Sequence, residues 1–327
     1  MPDRDLCFTP ATELVRLFRA RKVSPLEVMQ AVFARIDAVN PRLNAYVTLA
    51  RDSALRAARA ATAALSRRAT LRPLHGVPVS VKDLTPTKGI RTTWGSTIYA
   101  DHVPDEDALI VQRLKAAGAI VVGKTNTPEF GAGANTFNAV FGATRNPWNP
   151  ALTCGGSSGG AAVALATGMG PLAQGSDLGG SLRIPAAFCG VVGFRTTPGL
   201  VPYHPRDLAW DTLTVTGPMA RTVADTALML SVVAGPDDRA PISYAAYRRE
   251  FLRAVKAPSV RGWRVAWTPD LNGLLPVDPE VARVARKART RCQSRVRSFS
   301  PLPICSGVSE SPCLMFHTSP FCMTGSH

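Results

Sequence analysis

The sequence predicts an α/β protein in which helices cover both faces of a large mixed β-sheet. Helical spacing of apolar residues dominates the first seventy residues, and from Gly76 onward short apolar runs alternate with helical patterns. The 327 residues, 46% of them apolar, are enough to build a sizeable core. The chain has no apolar run of 18 residues and no apolar signal core near its N-terminus, so we expect a cytoplasmic protein without a membrane segment.

The N-terminal helices carry recognisable start signals. Ser24 is predicted to cap a helix, because Pro25 suits a first turn and Glu27 completes a capping box. An Ala-rich helix is predicted over 51–67. We therefore assign residues 1–70 to a helical segment that packs on the core.

Strands and helices are predicted to alternate after residue 70. The apolar run 77–81 predicts a strand that ends at Lys82. The other predicted elements are a helix over 108–117, a buried strand over 119–122, a helix over 222–233 capped by Thr222, a strand over 264–267 and a basic helix over 279–291. We assign residues 71–290 to this core.

The net charge of +15 suggests an acidic partner, but its distribution argues against one. Residues 248–297 contain 13 Lys and Arg residues against four Asp and Glu residues, so most of the excess is local. No aromatic residue interrupts the basic run 283–297, so a stacking platform for nucleic acid is absent from the pattern. A solvated helix face explains the run better, and a nucleic-acid partner is not expected.

Cysteine usage predicts neither a metal site nor disulfides. The seven cysteines form no C-x-x-C pair and are widely spaced, so Cys7, Cys154 and Cys189 are expected to be reduced, small apolar residues. We predict no metal and no cofactor.

Residues 291–327 differ in character from the rest of the chain. They are rich in Ser, Pro and Cys and show no periodicity, which is typical of a disordered tail. The alternative that we favour is loss of the coding frame near residue 290, which would leave the fold incomplete at the C-terminus.

Residues 146–182 have the composition of a segment that lines a site from which water is excluded. They contain nine glycines, four serines and one charged residue, Asp177. Backbone N–H groups of such a segment can approach a ligand closely. A buried Gly-rich crossover with hydrogen-bonded serines explains the composition equally well.

Two motif matches compete for the chemistry. Gly118, Gly123, Lys124 and Thr125 match the phosphate-loop pattern, but the residues between the glycines read as a strand. Ser158 occupies the centre of G-x-S-x-G, for which His204 is the available imidazole, although the segment before it has two prolines and cannot form the required strand. A desolvated lysine can replace histidine as base, and Lys82 is the lysine best placed for that role.

Three segments resemble the amidase signature family: GVPVSVKDL (76–84), GGSSGG (155–160) and QGSDLGGSLRIPAAFCG (174–190). GAIVVGKTNTPEF, GATRNPWNP and TGPMARTVADTALML are similar to that family in order and spacing, and the likeness covers about residues 10–287. It implies a serine hydrolase that acts on small-molecule amides through a Ser-Ser-Lys triad, with a large mixed sheet at its centre.

The resemblance assigns a role to each matching residue. Ser181 is the nucleophile, Ser157 is a bridging serine that follows a cis peptide bond, and Lys82 is the base. The backbone N–H groups implied for the oxyanion hole are those of Leu178, Gly179, Gly180 and Ser181. We also expect supporting roles for Ser158, as an orienting group for Lys82, and for Asp177 with Arg183, as a buried pair that holds the loop. Plain hydrogen bonding within the loop explains these residues equally well.

Three hypotheses follow. The first is an amidase forming an acyl-enzyme, either stand-alone, with a homodimer among its options, or the glutaminase component of a tRNA-linked amidotransferase with partner subunits. The second is a histidine-dependent esterase using Ser158, and the third is a non-catalytic fragment or basic binding module.

Overall fold

The computed structural model describes residues 3–67, 70–256, 259, 261, 263–271, 273–293 and 298–301. The predicted tail, 291–327, lies almost entirely outside these residues. Two compact units are present, one ending at Val255 and the other beginning at Lys256. The predicted divisions 1–70, 71–290 and 291–327 stay predictions.

The first unit begins with a helical region and continues with alternating strands and helices. Its helices are α1 (Asp3–Phe8), α2 (Ala11–Arg19), α3 (Pro25–Leu43), α4 (Arg51–Ser66), α5 (Leu109–Ala116), α6 (Gly159–Ala166), α7 (Arg183–Cys189), α8 (Val223–Val233) and α9 (Arg248–Lys256, whose last residue lies past the boundary). Its strands are β1 (Tyr46–Leu49), β2 (Pro78–Lys82), β3 (Ile120–Thr125), β4 (Phe137–Asn138), β5 (Gly142–Ala143), β6 (Leu172–Asp177), β7 (Val192–Gly193) and β8 (Val215–Ala220).

The second unit contains β9 (Arg264–Trp267), α10 (Pro279–Gln293) and β10 (Ser298–Pro301). Strands β9 and β10 pair in parallel. The predicted strand at 264–267 and the predicted basic helix are thus both present.

Six strands form the central sheet in the order β1-β3-β2-β6-β8-β7. Three adjacent strands, β3, β2 and β6, are parallel, whereas β1 pairs antiparallel to β3, and β8 pairs antiparallel to both β6 and β7. The predicted α/β class with a mixed sheet is confirmed.

Both faces of this sheet are covered. Every residue of β2, β3, β6 and β8 is buried, which is the pattern of strands that lie between two layers. Helix α4 packs against β3, α6 against β6, and α8 against β8. One continuous apolar core joins Phe18 and Ile36 of the N-terminal helices to Val81 and Leu172 of the sheet.

Local sequence signals account for the helix starts. The Ser24 hydroxyl accepts a hydrogen bond from the Glu27 N–H while the Glu27 carboxylate accepts one from the Ser24 N–H, so the predicted capping box is present. Thr222 likewise caps α8 by accepting from the Asp225 N–H. Among the described helices, none has both the length and the apolar character needed to cross a bilayer.

Candidate active site

The site lies where two adjacent parallel strands end. Strand β2 ends at Lys82 and β6 ends at Asp177, and the register pairs Val81 with Gln174. Because parallel strands present their carboxyl ends at one edge of a sheet, the loops that follow β2 and β6 meet there.

The Lys82 side chain is completely buried, 0% exposed. Its Nζ lies 2.6 Å from Ser157 Oγ and 3.1 Å from Ser176 Oγ. Burial lowers the pKa of Lys82 to about 7, an effect that the negative charge of Asp177 partly opposes. A substantial fraction of Lys82 is therefore neutral near pH 7 and able to accept a proton.

Ser157 lies on the Gly-rich loop before α6. The bond between Gly156 and Ser157 is cis, as the resemblance implies, and the Ser157 side chain is only 2% exposed. Close approach explains the nearby glycines, since a Cβ on Gly160 would lie 2.4 Å from the Asn126 nitrogen. The loop therefore delivers the Ser157 hydroxyl into the interior beside Lys82.

Ser181 lies on the loop between β6 and α7 and is partly exposed. Its carbonyl accepts a hydrogen bond of 3.2 Å from the Ser158 N–H, which ties the two serine loops together. Among the described residues, no hydrogen bond joins Ser181 Oγ to Ser157 Oγ. The structure thus brings both loops to one place but leaves the two hydroxyls unconnected.

Ser158 is fully buried and bonds to β6. Its hydroxyl donates to the Ser176 carbonyl over 3.2 Å and accepts from the Ser176 N–H over 3.4 Å. It makes no direct bond to Lys82 in the described part of the chain. Ser158 therefore holds the Gly-rich loop against β6.

Asp177 organises the Ser181 loop. Its carboxylate accepts hydrogen bonds from the Gly180 and Leu182 N–H groups, at 2.9 and 3.1 Å. It also pairs with Arg183 at 3.0 Å and with Arg195 at 2.9 Å. Burial alone would raise the pKa of this carboxyl, but the bonds from Arg183 and the backbone outweigh it and hold the pKa below its usual range.

The pairing of Asp177 with Arg183 was expected from the sequence, whereas Arg195 was missed. Arg195 lies 18 residues from Asp177 and shares no motif with it. The isolated negative charge in a stretch of 37 residues was the available signal, since a buried carboxylate needs compensating charge.

The N–H groups expected to bind an oxyanion differ in availability. The Gly180 N–H is already donated to Asp177. Those of Leu178, Gly179 and Ser181 donate no hydrogen bond to any described residue. Gly180 has a φ of +117°, and a Cβ there would lie 2.7 Å from Ile184 Cδ1, so the turn requires glycine.

Two further site residues on β6 were missed. The Ser176 hydroxyl oxygen accepts a hydrogen bond from Lys82 Nζ, and the Gln174 side-chain oxygen accepts one from the Lys82 N–H, each over 3.1 Å. The segment LAQGSD lacks the β-branched residues that mark strands, so its pattern did not predict β6.

The competing motifs lack the geometry that they require. Residues 120–125, with Gly123, Lys124 and Thr125, form strand β3 and not a phosphate-binding loop. The Ser158 hydroxyl bonds to backbone, and no described contact links it to His204. Within the described ranges, no group of three or more His, Cys, Asp or Glu side chains could hold a metal ion.

The side chains of Cys7, Cys154 and Cys189 are buried, as expected for small apolar residues. Burial raises the pKa of Cys154 to about 11 and also raises that of Cys189, so both thiols stay protonated near neutral pH.

Comparison with known proteins places this geometry in context. Residues 27–308 match the family model described as Amidase. The chain is 44% identical over 288 residues to an acylamidase of Rhodococcus erythropolis, covering 88% of this chain and 60% of that protein. It is also 44% identical over 247 residues to a subunit of the glutamyl-tRNA(Gln) amidotransferase of Carboxydothermus hydrogenoformans, covering 74% and 51%.

A solved bacterial aryl acylamidase of the amidase signature enzymes superposes with a TM-score of 0.83 at 33% identity, covering 90% of this chain and 61% of that one. The chain thus spans roughly 50 to 60% of the length of these relatives. With a family match over most of its residues and a fold shared with a member, the chain belongs to the amidase family.

Proposed function

We propose that the chain hydrolyses amide bonds with Ser181 as nucleophile, Ser157 as proton bridge and Lys82 as base. The observation that carries the proposal is the distance of 2.6 Å between the buried Lys82 Nζ and Ser157 Oγ, together with the lowered pKa of that lysine. At this distance a proton can pass directly between the two atoms.

Acylation begins with neutral Lys82. Its Nζ takes the proton of Ser157 Oγ, which takes the proton of Ser181 Oγ as that oxygen attacks the amide carbon. The bond to the leaving amine then breaks, and the amine leaves with a proton from Ser157 while Lys82 returns its proton to Ser157. Water, activated by the same relay, cleaves the acyl-enzyme and restores the Ser181 hydroxyl.

The proposal requires Ser181 Oγ to turn toward Ser157 when substrate binds. Catalytic hydrogen bonds are often long without substrate and shorten in the complex. Ser181 is only partly buried, which leaves its hydroxyl room to rotate.

Charge that develops on the substrate oxygen needs hydrogen-bond donors. We assign this role to the N–H groups of Leu178, Gly179 and Ser181, because the Gly180 N–H is occupied by Asp177. Each such donor contributes about 3 kcal/mol to the transition state in comparable sites. Asp177, held by two arginines, fixes the loop that presents these groups.

A fluorophosphonate probe tests the assignment without knowledge of the substrate. We expect mass spectrometry to find the probe on Ser181, and we expect Lys82→Met and Ser157→Ala each to slow labelling by roughly 100-fold or more. Lys22→Met, at an exposed lysine, is the matched control and should label at the rate of the unmodified chain. Labelling at another residue, or unchanged labelling of Lys82→Met, would contradict the triad.

A second candidate reaction is hydrolysis of the glutamine side-chain amide to release ammonia for an amidotransferase. The 44% identity to one component of such an amidotransferase favours it, and it would need partner subunits. The two candidates are separated by comparing ammonia release from glutamine with amine release from a simple arylamide. Ser181→Ala, which lacks the proposed nucleophile, is the negative control. A chain that takes the probe at Ser181 but hydrolyses neither compound would instead be a fragment that keeps the triad without turnover.

A cytoplasmic location stays a prediction from the sequence.

A further inference from the structure

Lys124 is a second fully buried lysine that the proposed mechanism does not use. It lies on β3 and pairs in register with Val81 of β2, one position before Lys82. Burying an amino group costs free energy, and a methionine of similar length would fill the same space without that cost. Its presence beside the site therefore calls for a role.

The amino group of Lys124 bonds only to the turn that follows Lys82, as far as the described contacts show. Its Nζ donates to the Thr85 carbonyl and, over 2.9 Å, to Thr87 Oγ1. Thr87 Oγ1 in turn donates to the same Thr85 carbonyl over 3.0 Å. Thr85 and Thr87 are themselves buried, so these bonds are shielded from water.

Thr85 connects this cluster to the main chain of Lys82 on two sides. The Thr85 N–H donates to the Lys82 carbonyl over 3.0 Å. The Thr85 hydroxyl donates over 3.0 Å to the Gln174 side-chain oxygen, which also accepts from the Lys82 N–H over 3.1 Å. Both polar backbone groups of Lys82 are thereby bonded to atoms that Lys124 helps to fix.

We propose that Lys124 is a positioning residue for Lys82: by clamping the turn 83–87 through Thr85 and Thr87, it holds the Lys82 amino group at Ser157 and away from water. This inference rests on the proposed function, in which Lys82 is the base. It gives the lysine of the G-K-T segment, rejected above as a phosphate ligand, a place in the same site.

The charges around the two lysines are distinct. Burial lowers the pKa of Lys124 to about 7, and the carboxylates of Asp83 and Asp107 oppose this whereas Lys115 adds to it. Asp83 is buried, and burial raises the pKa of its carboxyl, whereas Lys124, Thr93 and Arg91 act to lower it. For Lys82 the opposing charge is Asp177. A change at Lys124 thus reaches Lys82 mainly through geometry.

NMR of the full chain with [ε-¹³C]lysine tests the inference without any need for turnover. The chain has seven lysines, so the spectrum is small enough to assign by substitution. In the unmodified protein we expect two signals, those of Lys82 and Lys124, to titrate near pH 7. In Lys124→Met the Lys124 signal is lost, and we expect the Lys82 midpoint to move up by about one pH unit or more because water reaches its amino group.

Thr85→Val is the second variant, because it removes the bond to Gln174 while Lys124 and its carbonyl partner remain. It should also raise the Lys82 midpoint, and Lys22→Met should leave it unchanged. Folded variants at both positions with a Lys82 midpoint equal to that of the unmodified protein would overturn the inference, because a purely structural role lowers stability without moving that midpoint. Failure of the proposed function is a different result: absence of fluorophosphonate on Ser181 in the unmodified chain.

Discussion

Replacing Lys82 by methionine should remove a defined part of the pH dependence of stability. The pKa of Lys82 is about 7 in the folded protein, against an ordinary value of 10.5. Between these values Lys82 binds more protons in the unfolded chain than in the folded one, so its contribution to the free energy of unfolding rises with pH. The lysine therefore destabilises the fold most below about pH 7, and this destabilisation disappears as the pH approaches 10.5.

The size of the effect follows from the two pKa values. One such lysine adds about 1.6 kcal/mol to the free energy of unfolding between about pH 7.0 and pH 8.5, since each pH unit of complete proton release is worth about 1.36 kcal/mol. The thiols of Cys154 and Cys189, whose pKa values are raised by burial, contribute in the opposite sense at alkaline pH. Subtracting the variant from the unmodified protein cancels their contribution.

Urea unfolding at the two pH values, followed by circular dichroism, measures this difference. Between these pH values we expect the free energy of unfolding to rise by about 1.6 kcal/mol more in the unmodified protein than in Lys82→Met. Lys22→Met should reproduce the unmodified gain, because Lys22 is exposed. An equal gain in the unmodified protein and in Lys82→Met would mean that Lys82 has an ordinary pKa in the folded state, and the argument for a neutral base would fail.

Three other substitutions, one of them with a matched control, have defined outcomes. Asp177→Asn leaves the Arg183 charge without its buried partner, so the urea midpoint should fall by an amount equivalent to about 3 to 5 kcal/mol; a loss under about 1 kcal/mol would refute the loop role. Gly160→Ala places a Cβ 2.4 Å from the Asn126 nitrogen and should lower the melting temperature by several degrees, whereas Gly179→Ala, with no atom within 4 Å, should melt as the unmodified chain does. Ser24→Ala removes a helix cap and should lower the free energy of unfolding, measured in urea, by about 1 kcal/mol. No measurable loss of stability would contradict the cap.

The predictable part of the fold consisted of elements with strong local signals. The capping box at Ser24, the cap at Thr222 and the apolar run before Lys82 each specify structure within a few residues, and the elements they predict are present. Strands β6 and β8 were not predicted, because LAQGSD contains no β-branched residue and VTGPMA has Gly and Pro directly after its Val and Thr. Their strand conformation is imposed by pairing with each other and, for β6, with β2.

The site also combines residues that have a local sequence signal with residues placed by long-range packing. Lys82 could be singled out because it ends an apolar run, and the roles of Ser157 and Ser181 came from the family resemblance. Arg195 and Gln174 could not be found this way, because their contacts with Asp177 and Lys82 span 18 and 92 residues and depend on the packing of the sheet. Long-range partners of a buried charge carry no fixed spacing in sequence.

The way the Ser181 loop is fastened has a consequence for protein engineering. Asp177, the main chain and two arginines hold the loop, while the Leu178 side chain is 61% exposed and a methyl group at Gly179 would meet no atom within 4 Å. Neither side-chain position contributes to the fastening. A library randomised at positions 178 and 179 should therefore leave the loop in place in most of its members.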